Sequence, residues 1–186
     1  MIESSAEVEP RTVEEIAYRA LSLFAVAIKG EGLEQSIVDR VLRDYGLHAH
    51  LTPKESTFAT DPSPARMDRV QFSWRYECVW VLLWALGYIE NLNGPRQMCD
   101  VPRAARIIRE RTAADFIAGT KQRSIAEVLD QADLIYRYHW ATRSARLKGQ
   151  PAPAGLNGGV VQERRYALNW LIRYLDQEWD KITTDT

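Results

Sequence analysis

Residues 78–89, CVWVLLWALGYI, carry no charge and few hydrogen-bonding side chains. A helix that is apolar all round must be covered on nearly every side. The run is shorter than the roughly twenty apolar residues that cross a bilayer, so it predicts a helix buried at the centre of a bundle. No Gly or Pro interrupts the preceding residues back to Arg66. The spacing therefore predicts one long central helix over residues 66–89, with Ser63 as its N-cap, Pro64 in its first turn and Gly87 closing it left-handed. Val81, Leu82 and Ala85 are expected to be almost free of solvent.

The rest of the chain repeats a helical grammar. Thr12 with Glu15, Thr52 with Glu55, and Ser124 with Glu127 are capping boxes. They open helices expected to reach Gly30, Thr60 and Gly149. A helix from Leu33 to Tyr45 stops at Gly46. Asp100 caps one running to about Arg111, and a short one follows from Thr112 to Gly119. Asn157 caps a last helix expected to run to Trp179 with Leu175 on its inner face, and QPAPAGLNGG before it reads as a surface linker. No alternating strand pattern or internal repeat is present. The expected fold is all-α: a single-domain orthogonal or irregular helical bundle over residues 12–186 around one buried central helix, after a flexible tail at 1–11. A length of 186 residues with 46% hydrophobic side chains suits one domain with a real core. The net charge of −1 gives no general pull toward nucleic acid or anionic lipid. Two cysteines and an acidic start without a basic, then apolar, leader predict a cytoplasmic protein.

The pieces FSWRYECVWVLLWALGYIE, CDVPRAARII, ADLIYRYHWATRSARL, PAPAGLNGGVVQERRYALNWL and WDKITTDT occur in that order. Together they resemble a bacterial family catalogued as a domain of unknown function, number four-two-seven-two, from about Ala20 onward. The resemblance implies a helical domain and no particular reaction.

A few polar residues occupy apolar lanes. Glu77 has Val70, Ser73, Trp74, Trp80, Val81 and Trp84 as helical neighbours. A carboxyl there suits a general acid, although a buried ion pair is the plainer reading. His139 shares a helix side with Val128, Ala132, Ile135, Tyr136, Arg143 and Arg146. It fits a proton shuttle, or more simply a satisfied core histidine. Arg164 lies with Val161, Leu168 and Leu171, where a lone cation is costly. Glu77 is therefore expected to meet Arg164 or Arg143, because guanidinium forks suit carboxylates.

Phosphate-loop, dinucleotide and nucleophile-elbow motifs are missing, as are zinc and di-iron spacings, so no cofactor and no metal are expected. Asp130 and Asp133 read as solvated surface. The stripe Arg103, Arg106 and Arg109 lies beside Glu110 and lacks exposed aromatics, which argues against nucleic-acid binding. The leading expectation is a non-catalytic binding or interaction domain. It would take a protein partner or a small anionic ligand, with Trp74, Tyr136, Arg143 and Arg164 as candidate contacts, and would not involve a membrane. The rival is an enzyme of hydrolase or lyase type, with Glu77 and His139 as acid and base.

Overall fold

The computed structural model describes residues 9–184, of which 68% are helical with no strand among them. The expectation for residues 1–8 lies outside the described residues. Arg11, also assigned to a loose tail, is anchored instead. Its Nε donates to the Trp170 carbonyl at 3.2 Å, its guanidinium sits 4.5 Å from the Trp170 ring centre, and it is buried.

The chain forms α1 (Val13–Glu31), α2 (Gln35–Asp44), α3 (Pro53–Thr60), α4 (Arg66–Ser73), α5 (Arg75–Ala85), α6 (Val101–Arg109), α7 (Ala113–Ala118), α8 (Ile125–Leu147) and α9 (Gly158–Leu171). All three capping boxes are made. Asp100, Thr112 and Asn157 also cap their helices. α1 lies against α4 and α5, α9 packs on α5, and α8 packs on α9. α2, α3 and α7 gather around α1, while α6 covers α5. The result is an irregular, all-α single-domain bundle. Among the described residues, no helix is long and apolar enough to cross a membrane.

The expected single central helix is two helices. Trp74 keeps a right-handed helical backbone, but Glu77 N–H turns back to the Trp74 carbonyl and Ser73 Oγ bonds the Val70 carbonyl. Such back-bonding by serine loosens the ladder and bends a helix. α4 contributes no buried residue, whereas residues 76–86 are all buried, Val81, Leu82 and Ala85 included. Ser63 is not the N-cap: its own N–H bonds Asp61 Oδ1 in a turn, and Ala65 precedes the helix. Gly87, with φ of 83°, closes α5 as expected.

The bundle is centred on a pair of helices. Every residue of α1 from 19 to 30 is buried, because its alanines let neighbours approach on several sides. Gly30 does not stop α1, which continues to a left-handed Gly32. A Cβ at Gly30 would lie 2.5 Å from the Ser73 nitrogen and 2.7 Å from the Arg69 carbonyl oxygen, so α1 and α4 cross backbone to backbone there.

The last helix is shorter than expected. α9 ends at Leu171, and Arg173, Leu175 and Asp176 adopt positive φ. This reversal returns Trp179 to the core, edge-on to Trp170 and Tyr166, with its carbonyl bonded by the Tyr166 hydroxyl. A continued helix would have carried Trp179 about 12 Å beyond Leu171. Leu175 is consequently exposed. The linker at 150–159 lies on the surface with one turn of 3-10 helix, as expected.

In a helix interior, Gly→Ala ordinarily adds stability. Here Gly30→Ala should instead remove about 1–3 kcal/mol through overpacking, seen as a lower urea midpoint at unchanged m. A raised midpoint would contradict the close crossing.

Candidate functional site

Glu77 and Arg164 meet, as their apolar lanes require. Arg164 Nε donates to Glu77 Oε2 at 3.1 Å. Glu77 is 1% exposed and Arg164 3%. The other carboxylate oxygen, Oε1, accepts from the Cys99 backbone N–H at 2.5 Å. Arg164 Nη1 donates to the carbonyls of Leu92 and Asn93, at 3.0 and 2.8 Å. One buried pair thus joins α5 to α9 and fixes the middle and the far end of the loop between α5 and α6. Arg143 is not part of it: among the described residues, Glu77 forms its ion pair with Arg164 alone. The reason is position, since Arg143 lies well along α8 on a cleft at the surface.

That cleft, of about 480 Å³, separates the C-terminal half of α8 from the start of α9. α8 supplies His139, Thr142, Arg143 and Arg146, and α9 supplies Gln162 and its two opening glycines, with Thr184 closing one side. Among the described residues, no Asp or Glu lines the cleft. Asn157 Oδ1 accepts from the Gly159 and Val160 amides, which satisfies part of the first turn. Gly159 abuts the Trp74 ring: a Cβ there would come within 2.9 Å of it.

Beneath His139 lies Arg165. Its Nη1 donates to His139 Nδ1 at 2.5 Å and to the Thr184 carbonyl at 2.8 Å, and its guanidinium stands 5.0 Å from the Tyr136 ring centre. A guanidinium can only donate, so Nδ1 accepts and the imidazole proton sits on Nε2. His139, Arg143 and Arg165 engage further groups of the chain as well. The structure therefore divides the six candidates. His139 and Arg143 line the cleft, Trp74 and Tyr136 border it through Gly159 and Arg165, and Glu77 and Arg164 form a separate buried tie. The proposed acid and base, Glu77 and His139, are not brought together, because they belong to these two different sites.

Sequence reasoning missed Arg165, although Val161, Leu168 and Ile172 define an apolar lane at i, i+7 and i+11 that contains it. It also missed Arg19 with Glu55, a buried pair between α1 and α3. Arg19 was legible in the lane of Ile16, Ala20 and Leu23. Glu55 was hidden by its capping role, which it also performs. Lys29 is a further buried cation, donating to the Ala59 and Asp61 carbonyls at 2.7 and 2.6 Å. Burial lowers its pKa, opposed by Asp61. Among the described residues, no group of three or more His, Cys, Asp or Glu converges as a metal site would require.

The chain matches the family described as "Domain of unknown function (DUF4272)" over residues 1–182, and it belongs to that family. No curated protein and no solved structure matches it.

The two thiols report on the packing around α5. Burial pushes Cys78 well up, reinforced by the Glu163 carboxylate. Burial also raises Cys99, with Glu77 as the nearby negative charge. Because the thiolate is the reactive form, both thiols should resist a disulfide reagent at mildly alkaline pH in the folded protein and react fully in denaturant. Rapid modification of Cys99 in the native state would contradict the packing around Glu77.

Proposed function

We propose that this member of the DUF4272 family is a non-catalytic binding module that receives an anionic group, carboxylate or phosphate, in the cleft between α8 and α9. The observation that carries this reading is the composition of the cleft. His139, Arg143 and Arg146 line it together with hydroxyl and amide side chains, with no Asp or Glu among the described lining residues. Clefts lined by one sign of charge concentrate the opposite ion, and guanidinium groups offer planar, paired donors to carboxylate or phosphate oxygens. The positive end of the α9 dipole adds to this field. The reading does not require idle cations: groups that already hold acceptors are built to hold acceptors.

The enzymatic alternative has less support. Glu77 is covered and both of its oxygens are occupied, so it meets no substrate. His139 belongs to the separate α8–α9 cleft, so the acid and base of that alternative do not share a site.

Calorimetric and thermal-shift titrations with inorganic phosphate, at constant ionic strength, test the proposal. Saturable binding and a rising melting temperature are expected, approaching about 2.7 kcal/mol of added stability at a hundredfold excess over Kd. Arg146→Ala should weaken binding by about tenfold, the loss of one charged hydrogen bond. Absence of saturable phosphate and acetate binding, or full retention in Arg146→Ala, would overturn it.

A further inference from the structure

We infer that the anionic group belongs to a polypeptide, and that the C-terminal half of α8 is a docking surface for an acidic, amphipathic segment of a partner protein. This rests on the reading of the neighbouring cleft as an anion site. Tyr136, Trp140, Arg143 and Leu147 follow one another at i, i+4, i+7 and i+11, which places them in a single lane along α8. Tyr136 is 43% exposed, Trp140 60% and Leu147 76%. Scattered exposed apolar residues need no explanation, but these three are collinear. The same lane is buried farther back, at Leu129 and Ala132, and opens to solvent from Tyr136 onward.

Ridge and cleft are continuous. Arg143 belongs to both, and His139 and Arg146, one step around the helix, line the cleft. Tryptophan, tyrosine and arginine are the residue types that carry most of the energy at protein interfaces. Here they lie side by side on one rigid helix.

Charge selects the partner. Residues 136–148 contain Arg137, Arg143, Arg146 and Lys148 and no acid, in a chain of net charge −1. The nearest acid on the same helix, Asp133, is paired with Arg137 at 2.7 Å. A second copy of this ridge would set like charges face to face, so the surface suits an acidic segment instead. An anionic bilayer would also be attracted, but a flat surface leaves a 480 Å³ cleft unfilled. A helix carrying apolar residues at i, i+3 or i+4, and i+7 satisfies both features. Its apolar face covers Tyr136, Trp140 and Leu147, and one of its carboxylates enters the cleft.

The test titrates the intact protein with three probes: a synthetic eighteen-residue helical peptide with leucines on one face and glutamates elsewhere, the same peptide with lysines for glutamates, and vesicles containing anionic phospholipid. Tryptophan emission is read against Trp140→Phe, which isolates the signal of the ridge. The acidic peptide should bind with a blue shift that Trp140→Phe removes. Trp140→Ala and Leu147→Ser should each weaken the peptide by about tenfold or more, as at interface hot spots, and leave phosphate binding within about twofold. Arg146→Ala should weaken both ligands. Phosphate binding without peptide binding overturns the inference and leaves the cleft reading standing. Failure of both removes the cleft reading as well. Equal binding of the lysine peptide, peptide binding indifferent to Trp140→Ala, or binding to vesicles alone each overturns the polypeptide assignment.

Discussion

A carboxylate and a guanidinium, both almost wholly shielded from water, hold this bundle in register. Taking either from solvent alone would cost several kcal/mol, and together they offset each other only with good geometry and further hydrogen bonds. Glu77 and Arg164 have those bonds: the Cys99 amide on one side, and the Leu92 and Asn93 carbonyls on the other. The pair therefore does more than link two helices. It turns a glycine- and proline-containing loop into a fixed wall, and a further bond from the Asn157 amide to the Pro95 carbonyl ties that wall to the start of α9. The register of α9 against α5 depends on this arrangement.

The same device recurs. Arg19 with Glu55, and Lys29 with two carbonyls at the end of α3, fasten α3 to the buried α1. In each case a long cationic side chain of a core helix reaches into a neighbouring segment and satisfies groups that would otherwise be costly to bury. Arginine predominates over lysine in this chain, and its rigid fork suits several acceptors at once.

How much of this the sequence discloses follows from the range of each interaction. Capping boxes are local, so Thr12, Thr52 and Ser124 mark their helices to the residue. The apolar run at 78–89 fixes a buried helix, and the lanes of Glu77 and Arg164 foretell their meeting. The bend at Trp74 and the shared centre of α1 and α5 depend on contacts between distant segments, chiefly the absent side chain at Gly30. The reversal after Leu171 is likewise a tertiary effect: aromatic packing of Trp179 overrides a helical pattern that continues to Leu175. Of the candidate site, His139 and Arg143 are legible as polar residues on one side of α8. Gln162, Thr184 and the glycines at the mouth of α9 are not, because a cleft exists only between segments.

A division of labour results. Charges inside the bundle serve its architecture, and those beside α8 line a surface cleft. This separation keeps Glu77 and His139 in different sites, and the two sites are expected to respond differently to substitution. The most direct measurement is a phosphate titration of Glu77→Gln, alongside its urea denaturation, under conditions where the variant remains folded. The account predicts a marked loss of stability, on the order of 3–5 kcal/mol for an uncompensated buried partner, with phosphate affinity within about twofold of the unaltered chain. A stable Glu77→Gln protein that no longer binds phosphate would contradict it, because Glu77 would then belong to the site and not to the frame.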